Sequence, residues 1–140
     1  QVVVSGNPFP TLPMAESRNL LLPILQANRP ARPRVIFTYD VPAERPHPDY
    51  RMVLVFDAAN DLTAQRACLG EFRHRPPTPG RVSVFAIYCR NERALSQTTA
   101  WSDASGPDDP RLGAMFSALF QVLFVEVNPN RPMPTFLSPM

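Results

Sequence analysis

Acid–base chemistry at neutral pH needs a titratable base, and this chain has an imidazole at only two places, His47 and His74. Both lie among prolines, in Arg45-Pro46-His47-Pro48 and Arg73-His74-Arg75-Pro76-Pro77, so each belongs to a loop. Neither neighbours a Gly-x-Ser-x-Gly turn or a catalytic cysteine signature, so no nucleophile is marked by its surroundings. The two cysteines, Cys68 and Cys89, are spaced too widely for a Cys-x-x-Cys redox or zinc motif. Two readings of them stand: a pair of buried thiols, or a disulfide formed in an oxidising compartment. A bridge would close a loop of about 20 residues and contribute about 3 kcal/mol. The even count and the position of Cys89 at a strand end make the bridge the expectation to test, with Cα atoms about 4.4–6.8 Å apart.

The densest acidic stretch is Asp103, Ser105, Asp108 and Asp109, oxygen ligands of the kind hard cations take. It lacks the closing glutamate of a calcium loop, and Asp109 has a simpler role as a helix cap before Pro110. The 5 glycines, at 6, 70, 80, 106 and 113, are too scattered to form a phosphate-binding loop. No metal and no cofactor is therefore expected.

All 14 basic residues are arginine, and the net charge is only +2. The arginines are spread along the chain, densest at Arg29, Arg32 and Arg34 and around His74, so no basic patch marks a nucleic-acid surface. The aromatics Phe37, Tyr39, Tyr50 and Phe56 alternate with other residues along strand-like runs and are expected to face the core, not a stacked base. No nucleic-acid partner follows, and no apolar run approaches the roughly 20 residues of a transmembrane helix.

These residues must be held by a fold, and 140 residues suit one core. Hydrophobic residues at 44% and charged residues at 19% are the proportions of a chain that folds. Gln1–Val4 reads as a short edge strand stopped by Ser5-Gly6-Asn7-Pro8. Apolar residues from Thr11 to Ala27 recur at helical spacing, with Pro23 expected to kink or break the helix. Arg34–Val41 and Tyr50–Asp57 alternate as two strands that pair antiparallel. Asp61–Cys68 has room for one helical turn, and the rest of Ala58–Gly80 is loop. Arg81–Cys89 and Arg93–Trp101 form a hairpin through Asn91-Glu92, with Asn91 at positive φ. Pro110 opens an apolar helix with Leu112, Phe116, Leu119 and Leu123 on one stripe.

The expected architecture is α+β: a two-layer sandwich of a four-stranded antiparallel sheet with two helices on one face. Residues 1–127 form that single domain, and 128–140 a Pro-rich extended tail. Its prolines forbid a helix or inner strand, leaving Met133, Phe136 and Leu137 as candidate partner-binding residues.

Asn7-Pro8-Phe9 after a short apolar strand, Arg90–Ala94, and Gly106-Pro107-Asp108-Asp109-Pro110 before the apolar helix together resemble a group of short uncharacterised proteins of GC-rich proteobacteria. In size and layout the chain is also similar to small periplasmic lipoproteins. The start at Gln1 reads as that of a processed product whose leader is gone. These features set the expected function: a non-enzymatic accessory or structural protein of the bacterial envelope, periplasmic or secreted, acting through contacts with a protein partner in a larger assembly. The competing expectation is a small enzyme or ligand-binding domain with its site in the 58–80 loop near His74.

Overall fold

The computed structural model describes residues 1–30, 36–41, 49–104 and 106–125. In chain order the elements are β1 (Val2–Ser5), α1 (Met14–Ala27), β2 (Tyr50–Phe56), α2 (Ala64–Cys68), β3 (Arg81–Arg90), β4 (Arg93–Asp103) and α3 (Pro110–Val125). The strands form one sheet in the order β1-β2-β3-β4. β2, β3 and β4 are antiparallel neighbours, while β1 lies parallel to β2, with Val2 opposite Met52 and Ser5 opposite Val55. The α+β class stands, but the sheet is mixed where an antiparallel one was expected. The connection from β1 to β2 carries α1 and is long enough for the crossover that a parallel pair requires.

The first strand of the sheet is therefore the segment near the N-terminus and not Arg34–Val41. Residues 36–41 are irregular, although Phe37 is buried and Tyr39 packs against the core as their alternation indicates. Their backbone groups go elsewhere. The Phe37 amide donates to Gln26 Oε1 at 2.8 Å, the Asp40 amide to Thr38 Oγ1 at 3.1 Å, and the Thr38 carbonyl accepts from the Val2 amide at 2.8 Å. One backbone bond to β1 is not a ladder.

Pro23 does not break α1, which runs unbroken for 14 residues with Pro23 inside it. Pro23 and Asn19 both lie on the exposed face, where water can take the carbonyl that the proline cannot bond. Helix α3 starts as its sequence indicates: Asp109 Oδ1 accepts from the Arg111 amide at 3.0 Å, satisfying one N-terminal donor. Its residues Leu112, Phe116, Leu119, Phe120 and Leu123 are buried against one sheet face. There they meet Met52, Leu54 and Phe56 of β2, Val82, Val84 and Ala86 of β3, and Leu21 and Leu25 of α1. Gly113 lets α1 and α3 close up, since a Cβ there would lie 3.0 Å from the Asn28 side chain at the end of α1.

The other sheet face has its own core. Val53 and Val55 of β2 and Ile87 and Cys89 of β3 pack with Leu62, Ala64, Ala67 and Cys68 around the third helix, α2. Thr63 starts that helix by accepting from the Arg66 amide. Alternation along β2 and β3 puts these residues opposite those under α1 and α3, so the sheet is covered on both faces where one covered face was expected. Cys68 and Cys89 are joined, with Cα atoms 5.8 Å apart, tying α2 to β3. Arg51 strengthens the same junction by donating to the Cys68 carbonyl at 2.8 Å and the Asn91 carbonyl at 2.9 Å and pairing with Asp49 at 3.2 Å. The hairpin at Asn91-Glu92 forms as expected, with Asn91 at φ 53.

The tail 128–140, with Met133, Phe136 and Leu137, lies outside the described residues, as does His47. Replacing both cysteines, Cys68→Ala with Cys89→Ala, is expected to lower the unfolding free energy by about 2–4 kcal/mol, read from the shift of a urea melt.

Candidate functional site

The cover over the second face is uneven. Helix α2 lies over β2, β3 and the hairpin end of β4, and it stops short of the Ser83, Thr99 and Trp101 corner. What remains is a cleft of about 320 Å³ between the Ala58–Leu62 turn and the outer strands, lined by Asn60, Arg75, Phe85, Thr99 and Trp101. Trp101 is 60% exposed, unusual for the chain's only tryptophan. It is held rather than loose. The Arg81 guanidinium lies 4.0 Å from the indole centroid, and Arg81 Nε donates to Asp103 Oδ1 at 3.4 Å.

Arg81 also borders a second cavity of about 570 Å³ at the end of the sheet, walled by Pro8, Phe9, Pro10, Pro77, Pro79 and Pro107. It is apolar, with few side-chain donors. The two concavities therefore share one rim, at the start of β3 and the end of β4.

The loop expected to hold a site is organised by its backbone. The Arg75 amide donates to the Asp57 carbonyl at 2.8 Å and the Ala59 amide to the Arg73 carbonyl at 2.9 Å, closing the excursion that carries α2. His74 is fixed on both ring nitrogens: Nδ1 to the Phe56 carbonyl at 2.9 Å and Nε2 to Ser5 Oγ at 2.8 Å. A tautomer protonated at Nδ1 satisfies both, leaving Nε2 to accept from the serine hydroxyl. Neither hydrogen-bond partner of the ring is a carboxylate. Gly6 makes this approach possible, because a Cβ there would lie 2.6 Å from the Phe56 carbonyl oxygen and the residue sits at φ +86. Ser5 and His74 do not line the Trp101 cleft.

The acidic loop is otherwise engaged, Asp103 with Arg81 and Asp109 with α3 and Arg111. Among the described residues no group of three or more His, Cys, Asp or Glu could hold a metal ion, and no helix is long and apolar enough to cross a membrane. Of the strand-like aromatics, Phe37 and Phe56 are buried and Tyr39 is half-buried; Tyr50 is exposed and stacks on Tyr88 at 5.7 Å. Sequence reasoning passed over Trp101, Arg81 and Arg51. Their available signals were a tryptophan with polar flanks in a strand and an arginine, Arg51, next to a long apolar run.

The outer edge of the sheet completes the site. Asp57 donates its amide to the Ser83 carbonyl, so the peptide groups of Ser83 point to the β2 side. In an antiparallel pair its partner Trp101 then points its own N–H and C=O away from β3, and by alternation so do Thr99 and Gln97. No described residue donates an amide to, or accepts one from, these outward backbone groups; the Thr99 carbonyl has a 3.4 Å contact from the Thr98 hydroxyl. The opposite edge, β1, has the Val2–Thr38 bond beside it.

Searches against family models, curated proteins and solved structures find no match to this chain.

Asp57 supplies a test of the site's electrostatics. Burial pushes its carboxyl above the ordinary aspartate value, against the opposing pull of Arg75 and His74. A raised folded-state value means that the charged form costs stability above that range, and that the cost vanishes as the group protonates at low pH. Asn also tolerates the left-handed φ of 51. Asp57→Asn should therefore raise the melting temperature at pH 7, and the gain should shrink as pH falls below the carboxylate range.

Proposed function

We propose that this chain is a non-enzymatic accessory protein of the bacterial envelope that works by binding other protein chains, with the open edge of β4 as its contact surface. The observation that carries the reading is the edge itself. β4 is 11 residues long, and between Ala94 and Ser102 it has neither charge nor proline. Edges of this kind are usually shortened, charged or covered, because a row of outward N–H and C=O groups invites another strand. Beside it stands Trp101, with an apolar body and an indole N–H, the residue type that most often anchors a protein contact. The buried disulfide supports an oxidising compartment, periplasmic or secreted. On this reading Met133, Phe136 and Leu137 of the tail extend the contact.

A second reading rests on the Ser5–His74 hydrogen bond, which has the nucleophile–base geometry of a small hydrolase. It lacks a carboxylate to orient the base, and its serine lies outside both concavities.

A photo-crosslinking amino acid at Gln97, in native cells, tests the first reading. The expected product is a discrete adduct containing a second polypeptide, lost when Thr99→Pro removes an outward amide and absent when the probe replaces Arg66 on α2. A probe at Gln97 that yields only unmodified chain overturns it. Ser5→Ala separates the two readings: it should leave the adduct intact and abolish any fluorophosphonate labelling.

A further inference from the structure

We infer that the cleft beside Trp101 is a binding site for a small aromatic carboxylate, with Arg75 as its anchor; the inference stands apart from the strand contact, which uses the edge of the sheet where the cleft uses its face. The argument begins with alternation. Ser83 and Phe85 of β3 lie opposite Trp101 and Thr99 of β4, and all four share the sheet face of Val55 and Ile87. The turn brings Ala58, Ala59 and Leu62 to the same cleft. Aromatic side chains on one wall and aliphatic ones on the other make a slot suited to a flat ring. Its volume of about 320 Å³ falls at the small end of the about 300–1,000 Å³ typical of small-molecule sites. Trp101 is a platform that needs little ordering when a ligand arrives, since the Arg81 guanidinium, 4.0 Å from the indole centroid, already holds it.

The charge of the ligand follows from which ions around the cleft are already paired. Asp61, on the turn, is taken by Arg73, and Asp103, at the end of β4, by Arg81. Arg75 is the only charged residue among the described residues that line the cleft, and its guanidinium forms no ion pair or hydrogen bond with any described side chain. Asp57 feels the charge of Arg75 without pairing with it. A guanidinium with its donors unspent, beside apolar walls, favours a carboxylate, which it can hold through two parallel N–H···O bonds. A cation would be repelled, and a neutral ligand would leave that charge unanswered. Asn60, Ser83 and Thr99 supply the few neutral polar groups that orient a ligand in such a site.

Proton–nitrogen correlation NMR of the full chain tests this, because the single tryptophan gives one indole N–H signal and that signal lies at the cleft. The probes are naphthoate, its neutral isostere naphthamide, and acetate. The expected result is a saturable shift of the Trp101 indole and the Asn60 side-chain amide with naphthoate, at an affinity at least tenfold above that of either other probe. Arg75→Gln should weaken naphthoate at least tenfold, to the level of naphthamide, while naphthamide binds as before. The comparison of the two naphthalene probes is made on the native chain, so it decides the matter even if the variant does not fold. Equal affinity for naphthoate and naphthamide overturns the inference, as does a folded Arg75→Gln chain that binds naphthoate as the native one does. If acetate binds as tightly as naphthoate, the ring has no platform and the inference falls. It falls equally if no saturable shift appears, or if the shifts are confined to the proline-walled cavity at the end of the sheet.

Discussion

Strand β2 is apolar from Met52 to Phe56 without a break, and every one of those side chains is buried. A strand with both faces apolar has to be covered twice, and most of the architecture answers that requirement. Helices α1 and α3 cover Met52, Leu54 and Phe56, while α2 and its flanking turn cover Val53 and Val55. The second cover is a five-residue helix, too short to be stable by itself, and the Cys68–Cys89 bridge with the Arg51 bonds fastens it to the sheet. Burial then falls away from this centre. β3 alternates between buried and half-buried residues, and β4 keeps only Ser96 fully inside, where its hydroxyl reaches the Leu123 carbonyl at 2.5 Å.

Much of this was legible in the sequence because it is local. The hairpin through Asn91, the cap at Asp109 and the apolar stripe of α3 each follow from short-range spacing and chemistry, while the cysteine bridge was one of two open readings that the fold decides. The misreadings share a cause. Periodicity reports which side chains are buried and says little about where backbone hydrogen bonds go. Phe37 and Tyr39 do turn inward, yet the Phe37 and Asp40 amides bond to side chains and not to a neighbouring strand. Reading Tyr50–Asp57 as alternating hid the stronger signal of a continuous apolar run, which marks a strand covered on both faces and would have called for a third helix. Pro23 was overweighted because its cost depends on whether water can reach the freed carbonyl.

The candidate site was harder to see, because it consists of what the cover leaves out. Trp101 reads in the sequence as the end of a strand. Only the placement of α2 toward the hairpin end of the face shows that the indole is left largely exposed, with the Arg81 guanidinium over its ring. The outward direction of Gln97, Thr99 and Trp101 likewise depends on the register of β3 against β2, a non-local fact. His74 is legible as a polar loop residue, but its partners, Ser5 and the Phe56 carbonyl, come from two other parts of the chain. These hydrogen bonds give it a structural role in holding the loop to β1 whether or not it has a chemical one.

The central claim is that β4 has one edge satisfied by β3 and the other open to a partner strand. Residue-resolved amide hydrogen exchange on dilute protein measures this directly, because amide protection reports which groups are bonded. The account requires alternation along the strand, with slow exchange at Ser96, Thr98 and Ala100 and fast exchange at Gln97, Thr99 and Trp101. Uniform protection along β4 in dilute solution, or fast exchange at all six amides, would contradict it.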